Sequence, residues 1–142
     1  MIFSNVDSFK KQIKKRLITG AQNEIAKRLN KSARRVEGTA KESIQRGVKS
    51  GRVYTRRGIT HQASAPGEAP ATNTGFLVSN IAKTGIEKTG TALSIFVESK
   101  APYSLFLEFG TRKMEPRPFL QPALEQNRNK IKADFAKGGF IK

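Results

Sequence analysis

From Val6 to about Val48 the apolar residues Phe9, Ile13, Leu17, Ala21, Ile25, Leu29, Ala33, Val36, Ala40 and Ile44 recur three or four positions apart. That is the spacing of an apolar stripe along one α-helix. Ser4, with Asp7 three residues on, suits the start of this helix, and Gly47 with Ser50-Gly51 supplies its stop. Gly20 is the expected place for a bend. Gly38, inside the stripe, costs about 1 kcal/mol against alanine unless close packing uses its missing side chain. A helix of about 40 residues extends about 60 Å, while a compact chain of this length has a radius of gyration of about 14–15 Å. Its own domain cannot wrap such a rod. Either the helix folds back at Gly20, or its stripe is covered by another copy or another protein, and the lack of proline within it favours the second.

The pattern changes after Gly51. Residues 51–61 read as a short ribbon turning at Arg57-Gly58, and residues 62–75 are small, proline-containing and without an apolar side chain of any size to bury. A loop of that length is either a working loop or a passive linker. Phe76 to Ile81 predicts a short turn leading into a strand through Glu87, Lys88-Thr89-Gly90-Thr91 a turn, and Ala92 to Glu98 a strand with Leu93, Ile95 and Val97 on one face. These two strands form an antiparallel hairpin. Pro102 opens a short helix carrying Tyr103, Phe106 and Leu107 on one side and ending at Gly110. Pro118 or Pro122 starts a last helix with Leu120, Leu124, Ile131 and Phe135 as its buried stripe, ended by Gly138-Gly139. The expected class is α+β: a long N-terminal helix, a small antiparallel sheet with a hairpin, a short helix and a C-terminal helix. One domain over residues 1–142 accommodates all of it, with a basic helix at 1–50, ribbon and flexible loop at 51–75, and hairpin and C-terminal helices at 76–142.

Composition narrows the chemistry. The chain has 142 residues, no cysteine and one histidine, so disulfides, thiolate metal sites, cysteine nucleophiles and multi-imidazole sites within one chain are excluded. No apolar run reaches the roughly 20 residues of a membrane helix, and Met1 to Asn5 lacks the layout of a secretory signal. A soluble, intracellular chain with no membrane partner is expected. The net charge is +16, and it is uneven: residues 1–57 hold 16 basic and 4 acidic side chains, residues 58–142 hold 11 and 7. Such a field favours polyanions, either nucleic acid or an acidic protein surface, though a solvated helix face explains it equally. No zinc-finger, RNA-binding or helix-turn-helix pattern accompanies it.

Catalysis finds little support. His61 with Ser64 sits on a segment expected to move, without the preorganisation that catalysis needs. Glu108 lies among Leu105, Phe106, Leu107 and Phe109, and a carboxylate there requires a partner; Arg112 and Arg117 are the expected ones, in a structural ion pair. No glycine-rich phosphate cradle is present. Neither catalytic residues, nor a metal site, nor a cofactor is assigned.

The stretch from Ala101 to Leu124, with Tyr103, Glu108, Gly110, Thr111, Arg112, Arg117, Pro118 and Phe119, closely resembles the signature of a family of small tailed-bacteriophage and prophage morphogenesis proteins. These are the head-tail joining or tail-completion proteins, also known as neck or minor tail proteins. Ala63 to Pro70, with Ser64, Pro66, Gly67, Glu68 and Pro70, and Thr74 to Leu77 resemble the same family's loop and following turn. The likeness spans about residues 45 to 135 and, less specifically, the opening helix. It implies a non-enzymatic virion component, made in the host cytoplasm, that assembles as a homo-oligomeric ring with tail or connector proteins, the basic helix being a possible neighbour of DNA. A basic nucleic-acid-binding protein is the alternative. Within this reading Tyr103, Phe106 and Phe119 pin the two C-terminal helices against the sheet, Gly110 permits a positive φ, and Arg117 is held between two prolines. Residues 64–74 form a docking arm that orders on a partner.

Overall fold

The computed structural model describes residues 2–139. Helix α1 (Ile2–Arg46) is continuous through Gly20 and Gly38, so the expected bend is absent. Neither glycine has anything within van der Waals reach of a hypothetical Cβ, so close packing does not use Gly38. The helix starts before Ser4, which therefore lies within its first turns; the Ser4 side chain falls outside the described residues. Gly47 donates to the Ser43 carbonyl and closes the C-terminal end.

Strands β1 (Val53–Arg56) and β2 (Ile59–Gln62) form the predicted ribbon, with Val53 opposite Gln62 and Arg56 opposite Ile59. Arg57 and Gly58 both take positive φ, as a two-residue hairpin turn matched to strand twist requires. The one-turn helix α2 (Phe76–Ser79) leads into strands β3 (Ile81–Lys83), β4 (Glu87–Thr89), β5 (Ala92–Ser94) and β6 (Val97–Ser99). β3 pairs with β6 and β4 with β5, both antiparallel. The expected hairpin is thus interrupted. Between the two pairings the first arm has one residue more than the second, a bulge held where Thr84 donates its backbone N–H to the Phe96 carbonyl at 2.8 Å. Helices α3 (Ser104–Phe109) and α4 (Leu120–Lys137) complete the α+β architecture.

The core sits where the second half of α1 meets α2, β3 and the start of α4: Val36, Ala40, Ile44, Leu77, Val78, Ile81, Ala101, Phe119 and Ala123. α4 runs antiparallel to α1. Asn127, buried, donates to the Thr39 hydroxyl at 2.9 Å, and Asp134, further along α4, meets Arg35 at 2.9 Å and Lys31 at 3.6 Å. Arg28 also donates to the Asp134 backbone carbonyl. Burial works against the Asp134 charge, but the Arg35 hydrogen bond and the two cations outweigh it and hold the carboxyl below its usual range. On the other side of α1 the Glu37 carboxylate accepts from Lys41 and from the Lys83 backbone N–H, tying β3 to the helix; the Lys41 bond, ahead of an opposing burial effect, lowers its pKa. The α4 stripe is therefore offset from expectation. Ala123 and Asn127 face α1 with Leu120 and Ile131 beside them, while Leu124 is exposed.

The first half of α1 is bare. Every side chain from Val6 to Ala21 is exposed, including Phe9 at 62% and Leu17 at 69%. The stripe does not stay on one face. At 3.6 residues per turn each four-residue step overshoots by about 40°, and between Phe9 and Val36 the drift reaches about half a turn. Phe9, Ile13 and Leu17 thus point away from the side on which Val36 and Ala40 enter the core. About 24 Å of helix, from Val6 to Ala21, projects as a free rod with its apolar ridge turned outward.

Two outcomes follow for stability. Phe119, 1% exposed, has the largest fully buried side chain, so Phe119→Ala should cost about 3–5 kcal/mol in denaturant unfolding. Because the Asp134 and Glu37 carboxyls are depressed in the folded state, their contribution is complete above the unfolded values near 4 and is lost as pH falls through the lower folded values. Acid titration of the thermal midpoint should show a shallower fall for Asp134→Asn than for the parent.

Candidate assembly interface

The residues singled out from the sequence converge on one joint, where α3, the segment from Gly110 to Phe119 and the loop after β2 meet the start of α4. Its centre is Glu108. The carboxylate accepts the backbone N–H groups of Phe119 at 2.9 Å, Leu120 at 3.1 Å and Gln121 at 2.8 Å. These are the first donors of α4, which have no partner within the helix, and the positive end of the helix dipole favours the anion. The expected ion pair with Arg112 or Arg117 is not formed. Glu108 is aimed along its own helix toward the oncoming chain, and three backbone donors occupy it.

Arg117 serves the joint differently. Its backbone N–H donates to the Leu107 carbonyl at 2.7 Å, and its Nε donates to the Ser64 carbonyl at 3.2 Å. One residue therefore ties α3 to the loop after β2, and the flanking prolines Pro116 and Pro118 hold it extended. Arg112 is exposed. Gly110 ends α3 at φ 76°, ψ −177°, a region essentially reserved for glycine, and a Cβ there would stand 2.8 Å from the Met114 carbonyl oxygen. Thr111 and Met114 close the following turn by paired backbone hydrogen bonds.

The loop from Ala63 to Gly75 is better anchored than its composition predicts. Ser64 and Pro70 are buried, and Ala69 packs on the core, so the expectation of a segment with nothing to bury is corrected. Gly67 donates to the Pro116 carbonyl at 2.9 Å. Glu68 accepts from the Ser50 hydroxyl, the Ala65 N–H at 2.8 Å and the Ser50 N–H at 2.9 Å, and these bonds hold its pKa below the ordinary value. Pro66 is exposed at the tip. Small residues suit this loop because it lies close against other backbone.

The aromatic expectations divide. Phe119 is central to the core as foreseen, but Tyr103 and Phe106 do not pin α3 to the sheet. Tyr103 leans on Phe76, ring centroids 6.1 Å apart, and Phe106 is half exposed, as are Leu105 and Phe109. α3 buries no side chain fully. Of the seven phenylalanines whose surroundings are described, five are exposed and one is buried. Alanine, in contrast, supplies four of the ten buried apolar side chains. The large apolar groups thus lie outside, where only a partner can cover them.

His61 and Ser64 border one cavity of about 320 Å³ without a carboxylate in its lining. The imidazole stands edge-on to Tyr54 at 5.3 Å, and no hydrogen bond joins it to Ser64 among the described residues. Nothing there orients the ring as a general base. No helix of the described residues is long and apolar enough to cross a membrane.

The geometry is that of a scaffold with uncovered apolar faces, and comparison with known proteins names it. Residues 7–110 match the model of the HK97-gp10-like family, described as "Bacteriophage HK97-gp10, putative tail-component". The chain belongs to this family. It is a structural component of a bacteriophage tail, in a family not known for enzymes. The HK97-gp10-like match takes in α1 and ends at Gly110, so the long helix is as much part of the likeness as the loop and α3. The stretch from Thr111 to Leu124, which the sequence resemblance included, lies beyond it. No curated protein and no solved structure matches the chain.

Removing the cap should show its role. Glu108→Ala should destabilise the fold by about 1–3 kcal/mol, because two half-buried donors, the Phe119 and Leu120 N–H groups, and the exposed Gln121 N–H lose their acceptor. Arg112→Ala should leave the thermal midpoint unmoved. An equal loss in both variants would restore the ion pair.

Proposed function

We propose that this tail component is a head-tail joining or tail-completion protein that acts as a homo-oligomeric ring, made in the host cytoplasm and retained in the virion. The observation that carries the reading is the bare half of α1 together with the exposed aromatics of α3. A rod of about 24 Å with an apolar ridge has no function in an isolated globule and invites a protein neighbour. Its partners are further copies of itself and the tail or connector proteins at the ends of the ring. The joint around Glu108 and Arg117 fixes α3 and the loop as one body, so the surface near Pro66 is presented preformed. The chain functions as one unit, through contact surfaces and without a cofactor or a chemical step.

A second reading concerns DNA. Lys10, Lys11, Lys14, Lys15 and Arg16 crowd the exposed rod, and no ion pair engages them among the described residues. The cations deeper in α1 differ, since Lys31, Arg35 and Lys41 are matched to Asp134 and Glu37. The basic rod therefore fits a place beside packaged DNA or an acidic connector surface.

Removal of residues 2–20 separates these roles from folding. The truncated chain should keep its thermal midpoint, since residues 6–20 are exposed, yet fail to join heads to tails in an assembly assay. Replacing the five cations with glutamine should weaken binding to random duplex and flatten its salt dependence. Full joining by the truncated chain would refute the proposal.

A further inference from the structure

A groove of about 680 Å³ runs between the middle of α1, β6, α3 and α4. Its walls are apolar, with Leu29 and Val36 from α1, Phe96 beside β6, Phe109 from α3 and Leu124 from α4. Phe96, Phe109 and Leu124 are exposed, so the groove lacks its cover. In a chain of net charge +16, its lining includes Glu98 and Glu108 and not one lysine or arginine. The Ser32 hydroxyl, on a residue 5% exposed, also borders it and has no hydrogen-bond partner among the described residues. Buried hydroxyls are ordinarily satisfied by a protein group or an ordered water.

We infer that this groove receives the N-terminal ridge of α1, Val6 to Leu17, from a second copy of the chain. Three properties match. The ridge is apolar and exposed, as the groove is. From Val6 to Leu17 the rod carries five cations and one acid, Asp7, and at 3.6 residues per turn Lys10 and Arg16 flank the ridge, which complements a lining that, among the described residues, holds acids and no cation. Gln12, at the ridge's edge, offers both a donor and an acceptor for a hydroxyl such as that of Ser32. A helical segment with large apolar side chains in a groove is a recurrent mode of recognition, and the exposed Phe9 and Leu17 are its anchors.

The helical drift fixes the kind of symmetry. Ridge and groove lie about half a turn apart around α1. Two copies cannot place both contacts face to face, as a twofold dimer would require. Each copy instead gives its ridge to one neighbour and accepts a ridge from another, a head-to-tail contact that closes into a ring or continues as a filament. This inference rests on the ring reading for its biological setting and names the interface that the ring would use.

The chain has no cysteine, which makes the test direct. Full-length Leu17→Cys and Leu124→Cys variants, both altered at exposed positions, are mixed and oxidised. The control pairs Leu17→Cys with Ile59→Cys, on the exposed ribbon. The ridge-groove pair should give at least tenfold more covalent heterodimer than the control. Equal yields would overturn the assignment and leave the groove to another occupant. Leu17→Glu and Leu124→Glu should each abolish self-association in light scattering, whereas their equimolar mixture, holding one sound ridge and one sound groove, should form a dimer and stop there. A mixture that stays monomeric, with both variants folded by circular dichroism, also refutes the contact. A native assembly that grows without closing would instead sink the ring while the cross-link stood, and a closed ring without the cross-link would sink only the contact.

Discussion

An apolar residue at every fourth position cannot stay on one side of a helix that repeats every 3.6 residues. Along α1 that mismatch decides the molecule. From Val36 to Ile44 the stripe meets α4, α2 and β3 and is covered; earlier in the helix it has rotated out of reach. A coiled-coil seam spaced at 3.5 would stay in register with one partner along its length. This helix instead serves two directions in turn, its own globule with the C-terminal half and the outside with the N-terminal half. The absence of a kink at Gly20 follows, since folding the rod back would bring its lysines, not its ridge, against the core side.

The folded body needs unusually firm polar joints because its apolar core is small. Among the described residues Phe119 is the one aromatic fully inside, and alanines line much of the rest. The Glu108 carboxylate on three α4 donors, Arg117 bridging α3 to the Ser64 carbonyl, and Asp134 gathering cations from α1 each connect segments distant in sequence. Such charge-assisted bonds are worth more than neutral ones where water is partly excluded. They also hold α3 in place although it buries no side chain fully, which leaves Leu105, Phe106 and Phe109 as a fixed apolar surface.

Much of the fold was legible in the sequence. The helix of α1, the Arg57-Gly58 turn and the stop at Gly110 follow from periodicity and from residues that alone tolerate the backbone required. Composition said least about the 63–75 loop, because small residues that look unanchored are what a close backbone approach needs, and its anchors, Pro116 and Arg117, come more than 40 positions later. That Glu108 needs a partner is legible from its apolar neighbours. The nearest charges in sequence are arginines, whereas the chain path brings unpaired amides. The outward α3 aromatics are not legible, because an apolar side chain carries no mark of whether its own chain or a neighbour will bury it. The rotation of the α1 stripe was readable from spacing alone, through an angle count rather than a list of three-and-four steps.

Charge sets the terms on which copies can meet. With a net +16, identical chains repel at distances beyond a few ångströms, and the rod's five cations add to this at the end that the proposed contact would dock. An interface of ordinary size can prevail only if repulsion is screened or locally reversed. The Debye length of about 8 Å at physiological salt accomplishes the first between faces that are far apart. In the proposed contact Glu98 and Glu108 of the groove would accomplish the second, facing Lys10 and Arg16 beside the ridge. If the copies associate as proposed, the excess left after docking would be displayed by the assembled surface, where it favours a polyanion. On that proposal, association of the copies and attraction to an acidic connector or to DNA would be coupled, because whatever neutralises the rods also lowers the work of bringing them together.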